Sequence, residues 1–224
     1  MRGDPRVPVP PADDVALAAL EYVVVDVETT GGSPDRGHRV TEVGAIRMDR
    51  SGTVLDELST LVNPGRPIPR AVTHLTHITQ DMVAMAPRFE EIAPAFQRVA
   101  AGAVFVAHNA PFDRRFLPAE LKRTEFTGLR GRQLCTVRLA RRTVPEIRRR
   151  SLDALLYFFG IPCEPRHRAM SDARATADLL LRLLDRAQEQ GIDTWNGLQE
   201  LLNRKAPRRK RSALPRSMDW PEWA

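Results

Sequence analysis

Cysteine is almost missing from this chain: Cys135 and Cys163 are the only two in 224 residues. A disulfide framework is therefore not expected, and a reducing, cytoplasmic setting is the default. No CxxC pair is present, so the two thiols read as core residues rather than zinc ligands, even with His167 close to Cys163 in sequence. No run is long or apolar enough to span a membrane, and no membrane partner is expected. The opening segment MRGDPRVPVPPADD lacks the apolar stretch of a secretory signal and reads as disordered over residues 1–14. Internal repeats are lacking too. What is there, 42% hydrophobic and 28% charged residues, suits a globular chain with one sizeable core.

The formal charge of +6 conceals an uneven distribution. Residues 1–113 carry 10 basic and 15 acidic groups, residues 114–150 carry 12 and 3, residues 151–203 carry 5 and 8, and residues 204–224 carry 7 and 2. A phosphodiester substrate would be attracted by the basic middle and tail and cleaved at the acidic parts. Any one arginine cluster could equally be a solvated face.

The pattern of elements is α/β. Residues 21–29 read as a buried strand, 39–49 as a second and 53–63 as a third. A proline-rich loop spans 63–70, and 89–101 is an amphipathic helix. AVFVA at 103–107 is a short buried strand. Residues 111–123 suit a helix limited by Pro118. A fifth strand is expected over 133–139. Ser151 caps a helix that stops at Gly160, 171–190 is the longest helix, and 194–203 the last. Strands followed by alternating helices and strands imply a mixed sheet flanked by helices.

The acids carry the chemistry. In VVVDVETTG, Asp26 and Glu28 stand two apart, on one face of a valine-rich strand. Buried carboxylates must be paired, hydrogen-bonded or metal-bound, and no lysine or arginine lies close by in sequence. HNAPFDRRFL adds Asp113, and HRAMSDARATADLL adds Asp172 at the opening of the longest helix. Either acid alone could merely start a helix. Asp26, Glu28, Asp113 and Asp172 brought together would hold two hard cations through oxygen. His167, five residues before Asp172, could act as general base or be a solvent-exposed bystander. Ala173, Ala175 and Ala177 are small enough to let the helix lie close on the sheet, with Asp172 over Asp26.

The segments DVETTG, HNAPFD and HRAMSDARATADLL resemble, in order, the three motifs of the DEDDh family of 3′→5′ exonucleases, the group of the proofreading epsilon subunit of bacterial DNA polymerase III. RVTEVGAI resembles the family's second strand, and the likeness covers about residues 20–190. It implies a ribonuclease H-like fold. It implies two Mg²⁺ or Mn²⁺ ions, with Asp26, Glu28 and Asp172 on one, Asp26 bridging to the second, Asp113 supporting that second ion through water, and His167 as general base. Thr29, Thr30, Asn109, Phe112 and Ile78 are the candidate substrate contacts. The two threonines could instead simply end the strand, and Phe112 could simply be core. The implied partner is nucleic acid with a single-stranded 3′ end, DNA rather than RNA. An RNA-trimming enzyme of the same family and a non-catalytic binding module are the alternatives.

Two positions depart from the family pattern. Gly32 stands where relatives often carry a leucine that wedges the terminal base, and His77 where they often carry glycine. His74 and His77 are three apart and could share a helix face as a second metal site or be plain surface histidines. The expected domain is 15–203, followed by a basic tail or linker over 204–224. Within it, LPRSMDWPEWA resembles the lead-in to the GIY-YIG nuclease domain of UvrC-type repair proteins. A fused repair nuclease or a polymerase is therefore the expected protein partner.

Overall fold

A computed structural model describes residues 14–125, 131–162 and 167–204. The expectations for residues 1–13 and 205–224, and for Cys163, lie outside the described residues. A five-stranded mixed sheet has the order β3-β2-β1-β4-β5, from β1 (Tyr22–Thr29), β2 (Val40–Met48), β3 (Val54–Leu61), β4 (Val104–Ala107) and β5 (Gln133–Cys135). β1 is antiparallel to β2, as β2 is to β3, whereas β4 and β5 run parallel to β1.

Side-chain alternation on β1 divides the core between the two faces of the sheet. Val23, Val25 and Val27 pack against Phe89, Phe96 and Phe116. These come from α3 (Phe89–Ala100) and α4 (Asp113–Leu121), which follow two short helices, α1 (Arg70–Thr76) and α2 (Gln80–Ala84). Tyr22 and Val24 pack on the other face against Leu179, Leu180 and Leu183 of α7 (Ala169–Gln188). That layer also holds α5 (Thr136–Thr143), α6 (Leu152–Phe159) and α8 (Trp195–Asn203). No helix among the described residues is long and apolar enough to cross a membrane.

Local signals explain both ends of α6 and the start of α8. The Ser151 hydroxyl accepts from the Ala154 N–H, and Gly160 ends α6 in the left-handed region at φ +63°. Thr194 caps α8 in the same way. Two expectations need correction. Pro118 lies inside α4 rather than limiting it, because Phe116, Leu117 and Leu121 bury the helix regardless. The fifth strand ends at Cys135, and residues 136–139 belong to α5. Leu139, Ala140 and Thr143 form a buried helical stripe there, a periodicity that a short run of alternating residues can disguise.

Candidate active site

The site opens where β1 and β4 part. Their parallel pairing ends at Val24 and Val106, so the second half of β1 has no β4 partner. The carboxyl ends of parallel strands that separate in this way leave a crevice. Asp26 and Glu28 lie on that free half, and β4 runs on into His108 and Asn109. Asp113, at the start of α4, enters from the opposite layer, and its carboxylate accepts the Val27 N–H between the two strand acids.

α7 supplies the last acid. Its first turn is held on β2 by Glu42, which is 3% exposed. The Glu42 carboxylate accepts the Ala169 N–H at 2.9 Å and the Arg168 guanidinium at 2.7–3.2 Å. Glu42 lies directly opposite Glu28 across the strand pair, so an unpaired carboxylate there would be repelled. Burial of Glu42 thus depends on Arg168, whose guanidinium is held charged by Glu42 first and by Glu28 second. The helix backbone also comes close to β2 at Gly44, the register partner of Asp26. A Cβ there would lie 2.4 Å from the Ala169 carbonyl. The small residues expected on α7 are buried, yet the contact that seats the helix is glycine against backbone. Gly44→Ala should therefore lift the α7 N-terminus and destabilise the fold by about 1–3 kcal/mol, as overpacking does. Chemical denaturation of the variant checks this, and an unchanged midpoint would show that the helix yields freely.

As a result, ligand-capable atoms of Glu28, His167 and Asp172 all lie within 4.8 Å of one another. Asp172 and Asp26 together face a cleft of about 520 Å³, lined also by His108, Asn109 and Arg150. The described residues thus bring Glu28, His167 and Asp172 together; Asp26 shares a cleft with Asp172, and Asp113 meets the Val27 backbone, both outside that close group. Burial differs from expectation. Asp26 and Glu28 are half-buried, whereas Asp113 (2% exposed) and Asp172 (5%) are the desolvated pair. The burial penalty argued for the strand acids falls mainly on the helix acids.

Burial pushes the Asp113 carboxyl from its ordinary 3.8 up to about 7, while the N–H groups of Asp113 and Val27 pull the other way. A raised folded-state pKa means that the folded chain keeps a proton that the unfolded chain has released. Without cations, stability should therefore fall as pH rises from about 4 through about 7. Asp113→Asn should flatten this fall, and melting curves in chelator at pH 5 and pH 8 test it. An equal pH dependence in both proteins would place the burden elsewhere.

His167 and Asn109 both adopt left-handed backbone, at φ +64° and +61°. Such strain in a non-glycine residue costs about 1–3 kcal/mol and gathers at functional sites. The His167 N–H points to the Asp172 carboxylate at 3.3 Å. Other candidates are placed differently. The Thr29 hydroxyl donates to the Gly31 carbonyl, and the Thr30 hydroxyl accepts the Arg39 N–H. Phe112 packs on Phe116 with ring centres 5.1 Å apart, and Ile78 is fully buried. Asn109 is exposed on the cleft. His77 is the left-handed C-cap of α1 at φ +58°, which is why glycine suits that position, and it does not continue the helix face of His74. Gly32 is exposed, with open space where a side chain would project. Cys135 is a buried free thiol. Sequence reasoning missed Glu42 and Gly44. Both lie in the quoted RVTEVGAI segment, where an acid and a glycine in a buried strand were the available signal.

Known proteins match this chain in sequence and in fold. The exonuclease (RNase_T) family model matches residues 23–180. A Mycobacterium tuberculosis protein named as a bifunctional exonuclease/endonuclease is 42% identical over 205 residues, covering 86% of this chain and 31% of that protein. A DNA polymerase III subunit epsilon-like protein of Rhodobacter capsulatus is 42% identical over 193 residues, covering 83% of this chain and 27% of that protein. The chain thus spans less than a third of these two relatives. The solved structure of exonuclease X in complex with 5′ overhanging duplex DNA superposes with a TM-score of 0.63 at 29% identity, covering 81% of this chain and 99% of that one. Escherichia coli exonuclease I with a dA16 oligonucleotide shares the fold, with a TM-score of 0.67 at 17% identity over 76% of this chain and 42% of that one. The sheet, the flanking helices and the family match over 23–180 lead to one conclusion: the chain belongs to the exonuclease family.

Proposed function

We propose that the chain hydrolyses nucleic-acid strands from the 3′ end, DNA in preference to RNA, releasing nucleoside monophosphates. The observation that carries this reading is the convergence of Glu28, His167 and Asp172 within 4.8 Å, beside the buried Asp113 and the cleft that Asp26 shares with Asp172. Acids so close together repel one another unless cations divide them, and carboxylates with one histidine suit Mg²⁺ or Mn²⁺. Asp26, Glu28 and Asp172 would hold such ions, with Asp113 in support. When bound, they would stabilise charge on the phosphoryl oxygens and make water more acidic.

The residues divide the remaining work. Asp26, Glu28 and Asp172 would hold the cations that offset the charge of the scissile phosphate. His167 takes the proton of the attacking water as its oxygen bonds to phosphorus. The bond from phosphorus to the 3′ oxygen breaks, and that oxygen takes a proton from solvent. The exposed Asn109 lies where the terminal nucleotide would enter. The DNA preference is supported by the polymerase III epsilon-like relative and by the DNA complex of exonuclease X. The intact acids and His167 favour an enzyme over a non-catalytic module. Residues 15–203 would form the nuclease domain of a longer protein, with a polymerase or a fused nuclease as partner. This fits a relative named for two nuclease activities, of which the chain covers 31%.

The test uses labelled oligonucleotides of DNA and RNA blocked at either end, with Mg²⁺ or with chelator. Degradation should stop when the 3′ end is blocked and continue when the 5′ end is blocked. It should be faster on DNA and absent in chelator. The opposite end dependence would overturn the direction.

A further inference from the structure

We propose that Arg141, Arg148 and Arg150 form a clamp for the phosphates upstream of the scissile bond, latched over the acid site by His108; this deepens, and rests on, the exonuclease reading. The same cleft of about 520 Å³ that holds Asp26 and Asp172 is lined by these three arginines. Asp153 is the further acid of that lining. A polyanion entering a cleft of carboxylates is repelled, so cations on the facing wall decide whether it stays. Guanidinium groups suit this task, since their planar donors match phosphate oxygens in pairs.

The placement is selective. Arg141 is one turn from Val137 on α5, and both line the cleft, whereas Arg142 on the same helix reaches back to the Leu202 carbonyl. Arg148 and Arg150 line it, while the intervening, exposed Arg149 does not. The backbone of this segment is tied down from within. The His108 Nε2 lies 3.1 Å from the Arg150 carbonyl, and Nδ1 lies 2.9 Å from the Thr136 hydroxyl. A carbonyl only accepts, so Nε2 carries the proton and donates to Arg150, while Nδ1 bonds the Thr136 hydroxyl. Thr136 is fully buried at the start of α5. The Arg150 guanidinium also donates to the Arg148 carbonyl at 2.7 Å. One imidazole thus joins the end of β4, the start of α5 and the arginine segment. A merely solvated basic loop would need no such anchor. From the region of 12 basic and 3 acidic groups, the fold selects three cations to face the acids.

The experiment compares two substrates. One is a single-stranded oligonucleotide. The other is the 4-nitrophenyl ester of thymidine 5′-monophosphate, which has a cleavable phosphodiester and no upstream backbone. Arg141→Ala and Arg148→Ala should lower kcat/KM on the oligonucleotide about tenfold more than on the ester, mainly through KM. The slope of log affinity against log salt, measured by oligonucleotide binding in chelator, should flatten by about 0.7 for each phosphate that is no longer neutralised. Arg149→Ala is the control and should change neither quantity. His108→Asn should act in the same direction as the arginine variants; the exposed Arg141 and Arg148 keep the test decisive should His108→Asn fail to fold. Equal losses on both substrates, or an unaltered salt slope, would overturn the clamp. A wild-type protein that cleaves neither substrate would overturn the exonuclease reading, and the clamp with it.

Discussion

Asp172→Asn should reduce turnover by roughly 10²–10³-fold or more, the scale of losing one preorganised electrostatic group at a reaction centre. Asp26→Ala should do the same. The effect on stability has the other sign. Asp172 and Glu28 have oxygens within 4.8 Å, and two charges at that distance repel by about 3 kcal/mol at an effective dielectric of 20. The bond from the His167 N–H to Asp172 contributes about 1 kcal/mol. The Asn variant sheds this repulsion and keeps an oxygen that accepts the His167 N–H, so without cations it should melt no lower than the wild type. Added Mg²⁺ or Mn²⁺ should raise the melting temperature of the wild type and leave the variant almost unmoved, because stabilisation by a ligand follows its affinity. Turnover and melting, each measured with chelator and with metal, check both halves. Full wild-type activity in excess chelator would sink the cation reading.

His167→Ala should lower the turnover rate by about 10²–10⁴-fold with metal binding retained, as expected for loss of a general base. Its ring lies within ligand distance of Glu28 and Asp172, so the alternative role of metal ligand is sterically open. Metal affinity separates the two roles. A base leaves the melting shift with Mg²⁺ close to that of the wild type. A ligand lowers that shift as much as Asp172→Asn does.

Much of this molecule was legible in its residues, for local reasons. Ser151 and Gly160 bound a helix through contacts three or four residues away. The acids called for a partner, a hydrogen bond or a metal by their chemistry alone, whereas the family and its ligand roles were implied by the resemblance of the three motif segments. Where short-range pattern is ambiguous, the reading failed. Residues 136–139 look strand-like until the buried stripe of Leu139, Ala140 and Thr143 makes them helix.

The sequence by itself determined the α/β class, the motif acids and His167 as candidates, and the segregation of basic from acidic segments. Only the tertiary structure decided which of those carboxylates lose water. Half-exposed Asp26 and Glu28 differ from buried Asp113 and Asp172 because β1 is open on its β4 side, while α4 and α7 close over the helix acids. It also decided what holds α7 in place. Glu42 meets Arg168 across 126 positions of chain, and Gly44 admits the Ala169 backbone. Burial and such long-range pairings depend on which elements stack and how closely, and chain neighbours carry no record of that distance.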